Sequence, residues 1–247
     1  MRLHVTGASG YLGSELVGLR PDASAERVEV RDERAVRDLL DRVRPDVVVH
    51  TAYRQDGPGA REITVDGAEH VARAAAAVGA RLVHLSTDVV FDGRKGAPYV
   101  EADPVCPITQ YGHAKAEAER RVAAVHPGAL LVRTSLIVGG GDGPPSKHEL
   151  AARDPQLTFF TNEIRSPVQV GDLARALLEL AELDVTGPLH VAGADAVSRA
   201  QLAELAAGAP VRTAEAPPTR PLDCTLDSSR AQAMIRTRLR GVRGLYG

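Results

Sequence analysis

The sequence predicts an α/β fold built on a doubly wound parallel sheet, with a small carboxyl-terminal lobe. Three observations carry this prediction. Strand-like and helix-like segments alternate through the first half, the run Asp46–His50 contains three consecutive valines as in a strand buried on both faces, and a glycine-rich turn follows the first strand. Strands separated by helices of this length are joined by right-handed crossovers, which build a parallel sheet.

The first half supplies the predicted sheet and its crossover helices. Apolar residues fall on one helical face from Asp32 to Val43, and the segment Val65–Val78 is alanine-rich. The predicted strands are Arg2–Thr6, Arg27–Val30, Pro45–Ala52, Arg81–Ser86 and Ala129–Val138. The predicted helices are Tyr11–Leu19, Asp32–Val43, Val65–Val78 and His113–Val125.

The pattern changes after residue 138, where the composition of Gly139–Pro145 is that of a flexible connection. Beyond it, Ser198 and Gln201 have the spacing of a capping box and predict the start of a helix. We therefore predict a domain over residues 1–138 and a lobe over 139–247, with elements at about 166–185 returning to the first domain. Other predicted elements are a helix at 172–183, a strand at 188–192, a loop at 207–221 and a final helix from about 227 to 239.

Composition excludes several classes of protein. Hydrophobic residues make up 44% and the net charge is −2, which favours a small-molecule substrate over nucleic acid or an anionic membrane as partner. No apolar run is long enough to span a bilayer, and the amino terminus has no signal-peptide pattern. With two cysteines and no histidine pair at ligand spacing, we expect no disulfide scaffold, no metal site and a cytoplasmic location.

The glycine turn predicts a dinucleotide site. Gly7, Gly10 and Gly13 follow the first strand and open the first helix, which is the context that a pyrophosphate-binding turn requires. Glycines let the backbone approach the phosphates, and the helix amino terminus offers N–H groups and positive dipole. The residues of this turn that we assign to the cofactor are Gly7, Ser9, Gly10, Tyr11, Leu12 and Gly13.

An acidic partner for the adenosine ribose is expected about 20 residues further on. By spacing alone this is Asp32, which also has the position of a cap for the next helix. Arg31 lies beside it, and an arginine there favours a 2′-phosphate instead. Spacing leaves these alternatives open.

Tyr111 and Lys115 are predicted to lie on one face of a helix, because they are four residues apart. The chain has only three lysines among its 30 basic residues, so a lysine at this spacing is informative. A nearby ammonium stabilises a tyrosinate, and such a phenol can exchange a proton with a substrate oxygen. Thr87, in the Ser86–Asp88 triplet at a strand end, can hydrogen-bond the same oxygen.

In combination these motifs resemble the extended short-chain dehydrogenase/reductases, and within them the dTDP-4-dehydrorhamnose reductase family. The Ser-Thr-Asp-x-Val-Phe-Asp-Gly run matches Ser86–Gly93, and Tyr-Gly-x-x-Lys matches Tyr111–Lys115. The resemblance extends through Arg165–Pro167, Asp172–Ala174, Arg220–Pro221 and Leu226–Asp227, nearly the whole chain.

The resemblance implies a Rossmann-like fold and reduction of a keto group on a nucleotide-activated sugar by NADPH or NADH. Tyr111 is then the proton donor, Lys115 holds the nicotinamide ribose, and Thr87 fixes the substrate carbonyl oxygen. Ala52, Tyr53 and Ser86 line the cofactor, and Asp88 lies near the substrate. The small lobe binds the sugar nucleotide, and a homodimer is expected.

The sequence departs from the family in three places. Val89 and Leu136 replace a tyrosine and a tryptophan close to the expected sugar, so a different substrate is an alternative. One strand is missing after the first helix, or is reduced to Pro21–Ser24, and Asp32 then lies near the adenine rather than the ribose. Two alternatives to the leading function follow: a related reductase or epimerase acting on another carbonyl, and a non-catalytic nucleotide-binding regulatory subunit.

Overall fold

A computed structural model describes residues 1–246 of the chain. Its central sheet has five strands: β1 (Leu3–Thr6), β2 (Val47–His50), β3 (Arg81–Thr87), β4 (Leu130–Thr134) and β9 (Gly187–His190), in the order β1-β2-β3-β4-β9. Leu3 of β1 pairs with Val47 of β2, and Val47 with Arg81 of β3, both in parallel register. The predicted α/β class and parallel sheet are thereby confirmed.

The chain divides into two compact units that interleave along the sequence. The first unit comprises Met1–Ser86, Gln110–Val132 and Leu177–Leu189, and the second comprises Thr87–Thr109, Arg133–Ala176 and His190–Gly247. The chain returns to the first unit after each of its first two visits to the second, whereas the sequence predicted a main division at residue 138.

Four α-helices of the described chain lie wholly in the first unit, and the sequence predicts that they pack through their apolar faces. They are α1 (Tyr11–Leu19), α2 (Glu33–Val43), α3 (Gly67–Ala77) and α4 (Gln110–Val125), with a π-helical turn at Glu62–Asp66 before α3. Helix α2 packs on α3, and α3 on α4. Apolar side chains of these helices and of the sheet pack together in one buried core. This core includes Val36, Leu40, Val48, Val71, Leu82 and Val122.

The predicted strand at Arg27–Val30 is wrong, because these residues form no strand. Instead Ser24 makes a single parallel bridge to His4 of β1. Its N–H donates to the Leu3 carbonyl at 2.8 Å, and its carbonyl accepts from Val5 N–H at 2.9 Å. The resemblance predicted that a strand here is missing or is reduced to Pro21–Ser24, and within that stretch the structure has one bridged residue. Val30 is buried in the core rather than paired in a sheet, which explains its apolar pattern.

The second unit is made of short elements. They are β5 (Ile137–Val138), α5 (Lys147–Ala152), β6 (Thr158–Phe160), β7 (Ile164–Arg165), β8 (Val168–Gln169), β10 (Val197–Ser198), α7 (Arg199–Ala207), β11 (Arg212–Ala214) and α8 (Ser229–Gln232). Helix α6 (Val170–Ala181) begins in this unit and ends in the first. Ser198 and Gln201 form the predicted capping box at the start of α7. None of the helices described in residues 1–246 is both long and apolar enough to cross a membrane.

Several predicted elements have different bounds. The predicted strand at Ala129–Val138 is two strands, because residues 135–136 leave the sheet before β5 pairs with β8. The predicted loop at 207–221 contains β11, which pairs with β6. The final helix is only four residues long. The first two of these differences come from pairing with residues more than 20 positions away.

Candidate active site

The glycine turn is packed tightly against the segment that follows β2. Gly7 has a φ of +75°, and a Cβ at this position would lie 2.7 Å from both Ala52 N and Thr51 Oγ1. A Cβ on Gly13 would overlap the Gly7 carbonyl oxygen and lie 2.8 Å from Ala8 Cα. The three glycines therefore let the turn fold back on itself and lie flat against a neighbouring backbone.

Helix α1 begins at this turn without a capping side chain, since its N-cap is Gly10, and its first turn carries no acidic residue. Ser9 and Gly10 are exposed and Tyr11 is half-buried, whereas Leu12 is only 6% exposed and belongs to the core. An open, uncharged helix start bordered by glycine backbone fits a pyrophosphate group. Of the six residues predicted for this turn, Leu12 serves packing.

Asp32 is the N-cap of α2. Its carboxylate accepts a hydrogen bond from Ala35 N–H at 3.0 Å. The structure thus gives Asp32 the capping role that the sequence left as an alternative. Its assignment to the adenosine stays a prediction.

Lys115 is buried in the first unit, with 3% of its surface exposed. Its Nζ donates a hydrogen bond to the Leu85 carbonyl at 2.7 Å and lies 5.0 Å from the centre of the Tyr53 ring. Burial lowers the pKa of this ammonium to about 8, and the nearby Glu119 opposes that shift. A buried ammonium with one hydrogen bond from the protein retains N–H donors for a ligand.

Tyr111 lies on α4, one turn before Lys115. Its ring centre is 5.7 Å from that of Tyr53, which is 45% exposed. Tyr53 therefore contacts both residues of the predicted catalytic pair and links them to the segment after β2. The sequence predicted that Ala52 and Tyr53 line the cofactor, and the structure brings Tyr53, Tyr111 and Lys115 together.

Two buried histidines accompany Lys115. His50 and His84 are paired across β2 and β3, with ring centres 5.3 Å apart, and Thr6 Oγ1 is 2.6 Å from His50 Nδ1. Burial, and then the charge of Lys115, lower the pKa of His50 to about 3 and that of His84 well below its usual value. Because the rings of His50 and His84 are therefore neutral near pH 7, the positive charge beside them is that of Lys115.

The Ser86–Asp88 triplet spans the boundary between the units in the chain. In the first unit the Ser86 hydroxyl is buried and has no hydrogen-bond partner in the described part of the chain. In the second unit the Thr87 hydroxyl donates to Asp88 Oδ1 at 3.2 Å, and Asp88 Oδ2 accepts from Ser135 Oγ at 2.6 Å. Asp88 is 3% exposed, and its burial raises its pKa. The carboxylate is thus held by neighbouring side chains.

The second unit also carries a group of charged side chains to which the sequence assigned no role, although Arg165 and Arg220 lie in segments that carry the resemblance. Arg165 Nε lies 3.7 Å from Asp88 Oδ2, Arg220 forms an ion pair with Glu163, and the Arg220 guanidinium lies 5.0 Å from the Phe160 ring centre. Burial lowers the pKa of Arg199. The nearby Glu163 raises this pKa, and the nearby Arg220 lowers it. No local spacing signal identifies these arginines, since they come from separate segments.

Val89 and Leu136 are both half-buried in the second unit. Leu136 packs against the apolar cluster that includes Val138 and Val197. Among residues 1–246 no group of three or more histidine, cysteine, aspartate or glutamate side chains is placed to hold a metal ion.

Comparisons with known proteins agree with this arrangement. The family model described as the RmlD substrate binding domain matches residues 1–243. The chain is 36% identical over 220 residues to a dTDP-4-dehydrorhamnose reductase of Mycobacterium tuberculosis, which covers 80% of this chain and 72% of that protein.

Solved structures give the same result. A crystal structure of a hypothetical dTDP-4-dehydrorhamnose reductase from Sulfolobus tokodaii has a TM-score of 0.84 at 31% identity and covers 97% of each chain. The Bacillus anthracis dTDP-4-dehydrorhamnose reductase in complex with NADP also has a TM-score of 0.84, over 99% of this chain and 95% of that one, but its 23% identity shows the fold alone. From the matched length and the identity to the reductases, we conclude that the chain belongs to the dTDP-4-dehydrorhamnose reductase family.

Proposed function

We propose that this protein reduces a keto group on a nucleotide-activated sugar, using NADPH or NADH. The observation that carries the proposal is the cluster of Tyr53, Tyr111 and the buried Lys115. This cluster lies in the same unit as a glycine turn that fits a pyrophosphate. Membership of the reductase family supports it, since the Mycobacterium tuberculosis relative is a dTDP-4-dehydrorhamnose reductase.

The residues divide the chemistry between them. When bound, the nicotinamide coenzyme supplies the hydride that the carbonyl carbon receives. Tyr111 donates its phenolic proton to the carbonyl oxygen as the C=O bond becomes an alcohol, and the tyrosinate regains a proton from solvent. The Lys115 ammonium stabilises that tyrosinate and donates to the nicotinamide ribose. Thr87 orients the carbonyl oxygen when its hydroxyl proton turns to the substrate from Asp88 Oδ1, to which it donates in this structure.

The second unit suits an anionic substrate. Arg165, Arg199 and Arg220 bring three positive charges near the two carboxylates of Glu163 and Asp88. A guanidinium offers several N–H donors in a planar fork, which matches phosphate oxygens. We assign the diphosphate of a sugar nucleotide to this region. Asp88, Val89 and Leu136 remain predictions for the sugar itself.

A second candidate substrate is another keto compound, favoured by Val89 and Leu136. Both side chains are smaller than the aromatic groups expected from the family, so a bulkier ring fits. The homodimer remains a prediction from the resemblance, and the cytoplasmic location remains a prediction from composition.

The test follows oxidation of NADPH by absorbance, with dTDP-4-dehydrorhamnose as substrate and other keto sugars as alternatives. We expect turnover by the natural chain and a loss of about 100-fold or more with Tyr111→Phe. Coenzyme affinity should be retained in that variant, since the substitution removes only a hydroxyl. Equal turnover by Tyr111→Phe contradicts the mechanism. Coenzyme binding without turnover of any keto sugar supports the regulatory alternative instead.

A further inference from the structure

The charged cluster of the second unit contains more cations than carboxylates. Asp88 has Arg165 beside it, and Glu163 forms an ion pair with Arg220. The third guanidinium, that of Arg199, is half-buried and forms no ion pair with a carboxylate in the described part of the chain. A cation that is partly removed from water without an anionic partner costs free energy, which an anionic ligand can offset. The cluster is therefore short of one anion.

Arg165 is engaged by the protein itself. Its Nη1 donates to the carbonyls of Ile164 and Leu222, each at 2.7 Å, and its Nη2 donates to the Pro221 carbonyl at 2.8 Å. Its Nε faces Asp88 Oδ2 at 3.7 Å. All three nitrogens are thus directed at protein oxygens, so Arg165 is poorly placed to bind a ligand.

Arg220 is neutralised by a buried carboxylate. Its Nε donates to Glu163 Oε1, and its guanidinium lies 5.0 Å from the centre of the Phe160 ring. The Glu163 side chain is 3% exposed, so its charge needs this partner. Arg220 therefore balances Glu163, and the charge that remains for a ligand is that of Arg199.

Arg199 is fixed at both its backbone and its side chain. It is the first residue of α7, Ser198 caps that helix, and the Arg199 N–H donates to the Glu163 carbonyl at 2.9 Å. Its Nη1 lies 3.3 Å from Nδ1 of His148, on helix α5, which packs against α7. An arginine can only donate, so His148 Nδ1 accepts and the ring is neutral, with its proton on Nε2.

The surroundings of His148 keep this acceptor neutral. Burial, and then the charges of Arg199 and Lys147, lower its pKa to about 3, and the nearby Glu149 opposes that shift. A neutral ring orients the guanidinium without cancelling its charge. A carboxylate in the same place would neutralise Arg199 and compete with an anionic ligand. His148 therefore orients Arg199 and leaves its positive charge available.

The Nε and Nη2 atoms of Arg199 are open to a ligand. Neither forms a hydrogen bond with a described residue, and neither belongs to the fully buried nitrogens without a partner, so both reach solvent. These two atoms form one edge of the guanidinium and carry two parallel N–H groups. Such an edge matches two oxygens of a phosphate group.

We propose that Arg199 binds a phosphate group of the sugar nucleotide through its Nε and Nη2 edge, and that His148 is the positioning residue that fixes the orientation of this edge. The inference rests on the proposed function and narrows it, since it assigns the substrate anion to one of three arginines. Arg165 and Arg220 balance the carboxylates of the cluster and do not bind the phosphate. Neither Arg199 nor His148 takes part in the proton transfer.

The test is calorimetric titration of the full chain with dTDP, UDP and GDP, with NADP⁺ and NAD⁺ in excess so that the coenzyme site is filled. The diphosphate that binds most tightly is then titrated into the variants. A bidentate charged contact predicts that Arg199→Ala weakens its binding about 10-fold or more. Arg199→Lys keeps the charge without the edge and should recover only part of that loss. Coenzyme affinity should change less than about threefold, because the glycine turn lies in the first unit.

Variants of His148 separate positioning from packing. His148→Leu removes the Nδ1 acceptor, whereas His148→Asn keeps an acceptor oxygen near the same position. We expect a loss of about 3- to 10-fold with His148→Leu and recovery to within about twofold with His148→Asn. In turnover of a keto sugar, Arg199→Ala and His148→Leu should raise KM and leave kcat nearly unchanged, since Tyr111 and Lys115 are intact.

The matched control is Arg153→Ala, which removes an exposed arginine at the end of α5 and should change neither diphosphate affinity nor KM. Thermal unfolding checks that each variant folds, and Arg199→Lys replaces Arg199→Ala if the latter does not.

Two sets of results distinguish this inference from the proposed function. No binding of any of the three diphosphates, unchanged binding by Arg199→Ala, or equal losses with His148→Leu and His148→Asn overturns the assignment, and turnover of a keto sugar would still support the proposed function. Diphosphate binding that depends on Arg199, in a chain that reduces no keto sugar, overturns the proposed function and supports the phosphate contact.

Discussion

At the residue scale, the burial of Lys115 suits its proposed role in the site but lowers the stability of the folded protein. Its ammonium is buried, and among residues 1–246 its one backbone acceptor is the Leu85 carbonyl. Water would solvate the charge better, which is why its pKa falls to about 8. The spacing of Tyr111 and Lys115 predicted a shared helix face, but it could not predict this burial, which depends on β3 and on the loop after β2.

This burial predicts that Lys115→Met makes the protein more stable near neutral pH. The folded pKa is about 8 and the unfolded value is 10.5, so the unfolded chain binds the proton more tightly. The ammonium therefore destabilises the fold fully below pH 8, and this effect disappears as the pH rises to 10.5. The relative stability of the variant should fall by about 3 kcal/mol over that range.

Urea unfolding of both proteins at about pH 7 and about pH 10 measures the change. Loss of the bond to the Leu85 carbonyl shifts both values by the same amount, so only the difference between the two pH values is compared. A stability difference that is constant with pH would show that the lysine is not desolvated in solution.

At the element scale, helix α1 and its turn form because of a close contact that only glycine allows. The Gly13 position faces the Gly7 carbonyl, whereas Gly18 in the same helix has no atom near an added Cβ. The glycine spacing of the turn could be found in the sequence for this reason. The sequence around each glycine does not show that Gly13 is sterically required and Gly18 is not. The neighbours of Gly13 are brought close to it only when the turn folds.

The two glycines of α1 predict opposite effects of the same substitution. Gly13→Ala should destabilise the protein by about 1–3 kcal/mol through overpacking and should abolish measurable coenzyme binding. Gly18→Ala should be neutral or stabilising by up to about 1 kcal/mol, because alanine favours helix and meets no neighbour. Urea unfolding and calorimetric titration measure both effects. Equal coenzyme affinity in the two variants would contradict a tight turn at the pyrophosphate.

The strand predicted at Arg27–Val30 also belongs to this scale. Alternating apolar residues suggested a strand, but Val30 is buried against Gly67 of α3 and the other core residues instead. A strand forms only where it can pair with the edge of a neighbouring strand. At the edge of β1 the residue that pairs is Ser24, and not a residue of the segment 27–30. A pattern of apolar residues indicates that a segment is buried, but it does not indicate which neighbouring element buries it.

At the scale of the whole molecule, buried histidines tie the fold to pH. His4, His50 and His84 come from β1, β2 and β3 and are each at most 1% exposed. Burial lowers the pKa of His4 to about 4 and that of His50 to about 3, so both are neutral in the folded protein near neutrality. The sequence indicated that these strand histidines are packed, and the structure adds that His50 and His84 stack on each other and lie near Lys115.

We expect the protein to lose stability as the pH falls below 6.5. A histidine with a lowered folded pKa binds protons more tightly in the unfolded chain, so stability declines from the unfolded value of 6.5 down to the folded one. For His50 alone this is about 3 kcal/mol between about pH 6.5 and 4.5. His50→Asn should flatten the pH dependence in urea unfolding, whereas His113→Asn, at an exposed position of α4, should not. Identical pH slopes in all three proteins would rule out a neutral buried His50.

The sequence alone determined the α/β class, the glycine turn, the placing of Tyr111 and Lys115 on one helix and most elements of the first unit. These depend on periodicity and spacing within a few residues, which the chain carries locally. Tertiary structure decided the rest: the reduction of the second strand to Ser24, the role of Asp32 as a cap, the burial of Lys115 and the placing of Arg199 against His148. Each of these is a contact or a burial set by the folded chain, and free energies of desolvation and pairing exist only once such neighbours have been brought together.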